Sequence, residues 1–209
     1  MYKILFIGIG KMGFPMAGFL SEKYEVSVYN RSKEKISIWK KKYGGNAVEN
    51  LNQLDEKFDF IISCIGNDDD LREITSNDTG CFNVIRKNTI FIDHSTVSPK
   101  IVQELELKLK EKEAFFLDAP ISGGQLGAEK GQLSIMVGGD KNAFNKSESI
   151  FEVYGKKRKY MGSSGSGQLT KIINQICIAG LVQGLSESIY FMKQTKPVSY
   201  THLTLPTTK

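Results

Sequence analysis

Ile4-Leu5-Phe6-Ile7-Gly8-Ile9-Gly10-Lys11-Met12-Gly13 opens the chain: an apolar run of strand length meets three glycines, and a helix pattern then continues through Leu20. Strand, tight glycine turn and helix in that order are the setting in which a GxGxxG spacing binds a dinucleotide. The first glycine permits the turn, the second lets the backbone approach a pyrophosphate, and the third allows helix to pack closely on strand. The helix N-terminus then turns free N–H groups and partial positive charge toward the phosphates. Gly8, Gly10 and Gly13, with Lys11 and Met12 between them, are therefore candidate cofactor contacts. A glycine turn in any doubly wound protein is the alternative without a ligand.

About 20 residues further on, a second strand, Glu25-Val-Ser-Val-Tyr29, ends at Asn30-Arg31-Ser32, where an NAD-binding chain presents an acid to the ribose hydroxyls. Arg31 instead offers a forked cation to a 2'-phosphate. The expected cofactor is NADP, with NAD as the second choice. Asn30, Ser32 and Lys35 stand close enough in sequence to assist, although Lys33, Lys35 and Lys40 to Lys42 equally describe a solvated helix face.

Further strands are expected at Phe58-Cys64, Thr89-Asp93, Ala114-Asp118, Leu133-Gly138 and Lys156-Tyr160, the last ones in mixed orientation. Two of them run into polar motifs, Asp93-His-Ser-Thr-Val-Ser-Pro99 and Asp118-Ala-Pro-Ile-Ser-Gly-Gly124. Ligands of open α/β sheets bind beyond the carboxyl ends of strands, which puts both motifs on the binding rim. Ser122 with the amides of Gly123 and Gly124 forms a cradle suited to a carboxylate, or else a turn chosen for backbone freedom alone.

Gly165-Ser-Gly-Gln-Leu-Thr-Lys171-Ile-Ile-Asn174-Gln175 leads into a helix from about Gln168 to Lys193 that is apolar nearly all round, the mark of a buried element. Helical spacing lets Lys171 converge with Asn174 or Gln175 on one substrate. A lysine on a helix is ordinarily a surface charge, but a buried one loses basicity and becomes useful in acid–base work.

Together these motifs resemble the β-hydroxyacid dehydrogenase family, the group containing 3-hydroxyisobutyrate dehydrogenase and tartronate semialdehyde reductase, from about Met1 to Lys196. Gly131-Gln-Leu with Met136-Val-Gly-Gly139, and Pro15-Met16 after the fingerprint, add to the likeness. The resemblance implies that Lys171 is the general acid of carbonyl reduction and the base of the reverse reaction. It also implies that Ser122, Gly123 and Gly124 hold a substrate carboxylate, that Asn174 orients substrate, and that Thr96 lies near the nicotinamide. Cys64, Ile65 and Gly66 match the loop on the adenosine and ribose side. Lys171 argues against the imine reductase branch.

Departures from the family pattern are equally informative. Gln175 follows Asn174 where many members have a second asparagine in the pair, so its role stays open. Ile65-Gly66 stands where many have Leu-Pro, and Gly66-Asn-Asp-Asp-Asp70 is acidic for a loop beside an anionic cofactor; acids at a helix N-terminus are its simpler explanation. Members of the family continue into an all-helical domain. Here the chain ends in Val198-Ser-Tyr-Thr-His-Leu-Thr-Leu-Pro-Thr207, which has neither helical periodicity nor family likeness and reads as a translated sequencing adapter.

The expected architecture is a Rossmann, doubly wound, mostly parallel α/β sheet over 1–163, the first long helix of a truncated all-α domain over 164–197, and a non-native tail over 198–209. A chain of 209 residues with 40% hydrophobic and 10% aromatic content suffices for one sizeable core. No uninterrupted apolar run nears the ~20 residues of a membrane span, and no membrane role is expected. Cys64, Cys81 and Cys177 are scattered, which suggests neither disulfides nor a metal and suits a cytoplasmic setting. His94 reads as a packing residue. The net charge of +5, concentrated in Lys156-Lys-Arg-Lys159 and Lys40-Lys-Lys42, lacks the aromatic interleaving of single-strand binders, so nucleic acid is not an expected partner. The expected partner is a small-molecule substrate, with a homo-oligomer for the full-length protein. An enzyme of this kind and a non-catalytic NADP-binding module for sensing or assembly are both open; Lys171 and Ser122 together favour the enzyme.

Overall fold

The computed structural model describes residues 1–54, 57–76 and 78–195. The adapter-like tail 198–209, with His202, and the last two residues of the helical segment, 196–197, lie outside the described residues. The chain divides into two compact units, Met1–Lys171 and Ile172–Lys209.

The first unit is built on one mixed sheet. β1 (Lys3–Ile7) lies between β2 (Glu25–Tyr29) and β4 (Phe60–Ser63), and β3 (Asn46–Ala47) extends the sheet beyond β2. On the other side follow β5 (Ile90–Asp93) and β6 (Phe115–Asp118), all parallel. This is the Rossmann order, and its strands are apolar on both faces because helices cover both. β1 shows why. Ile4 and Phe6 enter one core with Trp39, Phe144 and Phe151, while Leu5 and Ile7 enter the other with Leu71, Phe91 and Leu105. Each such side chain is buried and contributes roughly 1.5–3 kcal/mol.

Beyond β6 the sheet turns mixed. β8 (Leu133–Gly139) pairs antiparallel with β6 and with the short β7 (Ile121–Ser122), and parallel with β9 (Gly155–Gly162). Among the described residues β9 pairs only with β8; it carries exposed Lys156, Lys157 and Lys159, while Arg158 is ion-paired to Glu152. A lysine-rich edge strand resists pairing with a further chain, which accounts for the basic cluster structurally.

Helix boundaries follow local chemistry. α1 (Gly13–Ser21) begins at the fingerprint. α2 (Lys33–Tyr43) starts where the Ser32 hydroxyl accepts the Lys35 N–H at 3.4 Å, and stops at Gly44, whose φ of +76° favours glycine. α3 (Asp68–Thr75) is capped by Asn67, which accepts from the N–H groups of Asp69 and Asp70. The acidic run is thus the first turn of a helix. α4 (Pro99–Lys110) is capped by Ser98 with Pro at its first position, and buries Ile101, Val102, Leu105 and Leu109. α5 (Gly124–Glu129) and α6 (Lys141–Tyr154) flank β8 in sequence.

α7 (Ser166–Thr195) begins in the first unit and supplies the described part of the second. Its all-round apolar pattern predicts burial, yet Ile173, Ile176, Leu181, Leu185, Tyr190 and Phe191 are each more than half exposed. That expectation is corrected beyond Lys171: burial requires surrounding elements as well as an apolar helix. α7 is also the helix among the described residues that is long and apolar enough, by length and composition, to cross a membrane. The core helix of a soluble protein passes the same test.

Candidate functional site

The loop after β1 is fixed by contact. Gly8 has φ +92° and its N–H donates to the Tyr29 carbonyl at 2.9 Å, and a side chain there would meet the Cys64 carbonyl oxygen at 2.5 Å. A Cβ on Gly13 would lie 2.1 Å from the Gly8 carbonyl oxygen, so α1 can approach β1 only with glycine at this position. Around the Cβ direction of Gly10, by contrast, no atom of the described residues lies within 4 Å. Two glycines are therefore required by the protein itself, and the third leaves space for a ligand's phosphates at the start of a helix.

This loop borders a cleft of about 330 Å³, lined also by Tyr29, Asn30, Arg31, Cys64, Ile65, Gly66, Asp70, Glu73 and Ile74. The structure thus brings together the expected cofactor residues Gly8, Gly10, Lys11, Met12, Gly13, Asn30, Arg31, Cys64, Ile65 and Gly66. Ser32 and Thr96 are not on its lining. Ser32 is occupied in capping α2, and Thr96 is exposed beyond β5. Lys35 lies instead in a neighbouring groove with Lys11 and Lys42. The Cys64 thiol is pushed up to about 12 by burial and then by the charge of Asp93, which leaves it protonated and unreactive.

Arg31 already has partners. Its guanidinium stands 3.0 Å from Asp70 Oδ1 and 3.9 Å from Glu73 Oε2. The sequence does not show this pairing, because its partners stand 39 positions apart at two strand ends.

Lys171 sits in the first turns of α7, and three buried side chains hold that segment. Asp118, at the end of β6, accepts the Gly165 N–H on Oδ1 and the Gln168 N–H on Oδ2, both at 2.9 Å. Gln168 is wholly buried; its Nε2 donates to the Ser95 carbonyl at 2.8 Å and its Oε1 accepts the Val97 N–H at 3.2 Å. Asp93 Oδ1 accepts from Ser63 Oγ, Ser95 Oγ and the Ser95 N–H. Ser95 Oγ also accepts the Ile65 N–H at 3.0 Å. A continuous path therefore joins Ile65 in the cleft, Ser95 after β5 and Gln168 in the turn before Lys171. Burial raises the pKa of Asp93, partly offset by its serine donors, and raises that of Asp118 to about 6.

Lys171 is 9% exposed, and among the described residues its ammonium has no ion pair or hydrogen bond. Desolvation lowers its pKa from the ordinary lysine value. An uncompensated, partly dehydrated lysine held by a fixed turn is equipped to pass a proton. His94 is not: Nδ1 donates to the Ala119 carbonyl at 2.6 Å, Nε2 accepts from the Tyr154 hydroxyl at 2.8 Å, and burial lowers it to about 4. Nothing in the local sequence marks Asp118 or Gln168 for this role. Buried polar residues with partners 47 to 73 positions away leave no local signal.

Ser122 ends β7, paired with Ser134 of β8, and Gly123 and Gly124 follow with φ of +132° and +61°. Both glycines hold backbone that L side chains avoid, and nothing lies within 4 Å of the Cβ direction of Gly124. The turn is required by the backbone and is open at its second glycine. Asn174, half-buried, and Gln175, exposed, belong to the second unit, where the Asn174 amide donates to Gln175 Oε1 at 3.4 Å. Among the described residues no group of three His, Cys, Asp or Glu could hold a metal ion.

Comparison with known proteins places the chain among its relatives. Residues 3–162 match the family described as the NAD binding domain of 6-phosphogluconate dehydrogenase. An uncharacterized oxidoreductase of Shewanella frigidimarina is 42% identical over 194 residues, covering 92% of this chain and 67% of that protein. The 2-hydroxy-3-oxopropionate reductase of Escherichia coli is 33% identical, covering 90% and 64%. The structure of Mycobacterium tuberculosis 3-hydroxyisobutyrate dehydrogenase with L-serine superposes with a TM-score of 0.84 at 25% identity, over 96% of this chain and 67% of that one. The chain spans about two thirds of the length of these relatives, and slightly less for the Escherichia coli reductase. With an NAD-binding domain matched over residues 3–162 and relatives of these names along nine tenths of its length, the chain belongs to the β-hydroxyacid dehydrogenase family.

Proposed function

We propose that the protein to which this chain belongs transfers a hydride between NADP(H) and a small 3-hydroxy acid or its carboxylate-bearing semialdehyde. The observation that carries the reading is Lys171, dehydrated and unpaired in a turn tied through Gln168 and Ser95 to Ile65 of the cofactor cleft. The residues of the cleft fit a dinucleotide: Gly10 leaves room for the pyrophosphate, and Arg31 at the end of β2 offers a cation where an acid would bind ribose hydroxyls. The bound cofactor supplies or accepts the hydride. Lys171 gives its proton to the carbonyl oxygen as negative charge develops there, and in the oxidative direction its neutral amine takes the hydroxyl proton. Ser122 and the amides of Gly123 and Gly124 hold the carboxylate.

Division into a binding domain over 1–163 and the first helix of a helical domain over 164–197 is the organisation this function needs. The exposed apolar side chains of the second unit suit burial in a homo-oligomer of the full-length protein. Three free thiols, Cys64, Cys81 and Cys177, suit the reducing cytoplasm.

Two measurements test the reading. Nucleotide titration of this chain should show tighter binding of NADPH than NADH, with the preference lost in Arg31→Asp. In the full-length protein, Lys171→Met should lower kcat by roughly 10²–10⁴-fold while NADPH still binds. Retained turnover would exclude Lys171 as the proton donor.

A further inference from the structure

The cofactor cleft contains a contact that the dinucleotide fold does not require. Asp70 is held in the first turn of α3, where its N–H donates to Asn67 Oδ1 at 3.0 Å. Its carboxylate lies over Gly66, close enough that an ideal Cβ on Gly66 would stand 2.5 Å from Asp70 Oδ2. The other oxygen, Oδ1, pairs with Arg31 at 3.0 Å, with Glu73 behind it at 3.9 Å. The Asp70 side chain is 19% exposed and that of Arg31 69%, so a flexible cation is held by a nearly buried, fixed acid. Arg31, Gly66, Asp70 and Glu73 all line the one cleft.

We propose that Asp70 is a specificity-determining residue: it competes with the cofactor's 2'-phosphate for Arg31 and thereby narrows the preference for NADP over NAD. The proposal rests on the assignment of Arg31 to the 2'-phosphate. A guanidinium engaged with a carboxylate must exchange that partner for the phosphate, and the exchange reduces the advantage of the phosphorylated cofactor. A cofactor without the phosphate leaves the pair undisturbed. Gly66 is what admits the arrangement, because any Cβ there would push the Asp70 carboxylate aside. No strained backbone stands in the way of that substitution, since Gly66 is not among the positive-φ glycines.

The test measures binding of 2',5'-ADP and 5'-AMP to this chain and reads their affinity ratio, which cancels effects common to both nucleotides. Asp70→Asn and Gly66→Ala should each raise the preference for 2',5'-ADP by about two- to fivefold, the range of a partly exposed ion pair. Gly66→Ala does so without changing charge, which separates competition for Arg31 from a general loss of negative potential. In an Arg31→Leu background Asp70→Asn should lose most of its effect. An equal effect with and without Arg31, or an unchanged ratio in both single variants, overturns the proposal. If the unmodified chain shows no preference for 2',5'-ADP but both variants create one, the competition stands and the NADP assignment falls. If the unmodified chain prefers 2',5'-ADP and neither variant alters the ratio, the assignment stands and the competition falls.

Discussion

Asp118 at the end of β6 accepts the N–H of Gln168 at 2.9 Å, and through this bond the central sheet holds the helix that carries Lys171. The same carboxylate accepts the Gly165 N–H. Two amides at the start of a helix are thereby satisfied by one buried anion, and the helix dipole favours its charge. Gly138 and Gly167 make the approach feasible, since a Cβ on either would fall within 2.8 Å of an Asp118 oxygen. The glycines of this region serve the carboxylate rather than the ligand.

Asp118→Asn should therefore damage the site without emptying the core. The amide oxygen can accept one N–H, but its NH₂ faces the other, leaving a buried donor unpaired at a cost of about 1–3 kcal/mol. Relief of the buried charge offsets part of this. Urea unfolding should show the loss, and amide exchange at Gln168 to Lys171 should accelerate more than in β1; uniform acceleration across the sheet would contradict the assignment.

The three fingerprint glycines separate into two kinds under substitution. Gly13→Ala places a Cβ 2.1 Å from the Gly8 carbonyl oxygen and should destabilise the fold by roughly 2–4 kcal/mol through forced separation of α1 from β1. Gly10→Ala meets nothing within 4 Å and should leave the melting temperature within a few degrees of the parent while weakening NADPH binding at least tenfold. Equal melting losses in both would refute the distinction.

Lys171→Met separates function from stability in the same way. Desolvation lowers the lysine's pKa, so the folded state bears a cost for keeping this ammonium, and no described partner compensates it. Methionine of similar length removes the charge while retaining the stem. Thermal unfolding at pH 7 should occur at an equal or higher temperature than in the parent. A lower temperature would indicate that the ammonium has a stabilising partner.

Much of the fold is legible in the sequence because the buried strands are continuous apolar runs ended by polar turns: β1 and β2 fall at their expected residues. β3 and β7 do not show, since two residues carry no periodicity. The cleft is legible at Gly8, Gly10, Gly13 and Arg31, where local backbone and charge set the role. Asp70 is not, because its meaning depends on Gly66 four residues before it and Arg31 across the sheet. Nor is Gln168, which resembles any polar residue near a helix start until its carbonyl and amide partners beyond β5 are seen. The exposed face of α7 shows the limit of periodicity in the other direction, for an apolar helix specifies burial without specifying what covers it.

The acid stability of the first unit should depend on two buried groups with opposite signs. His94 is held neutral, with its pKa lowered from 6.5 to about 4, so the unfolded chain binds a proton that the folded one refuses. Its contribution is present above pH 6.5 and is lost as the pH falls toward 4, about 3 kcal/mol in all. Asp118 is raised from 3.8 to about 6, so the folded state takes up a proton first; its contribution is full below 3.8 and is lost as the pH rises through 6. Asp93, also raised, acts in the direction of Asp118. Between pH 6 and 4 these effects oppose one another, and single substitutions should expose them. In His94→Asn the amide can still donate to the Ala119 carbonyl, while the Tyr154 hydroxyl loses its acceptor. That variant should be less stable than the parent at pH 7.5 by about 1–3 kcal/mol, with the deficit narrowing as the pH falls to 4.5. Asp118→Asn should show the reverse, its deficit widening over the same interval. Urea unfolding at several pH values gives both curves, and parallel curves for parent and variants would show that neither group changes its protonation between the folded and unfolded states in this range.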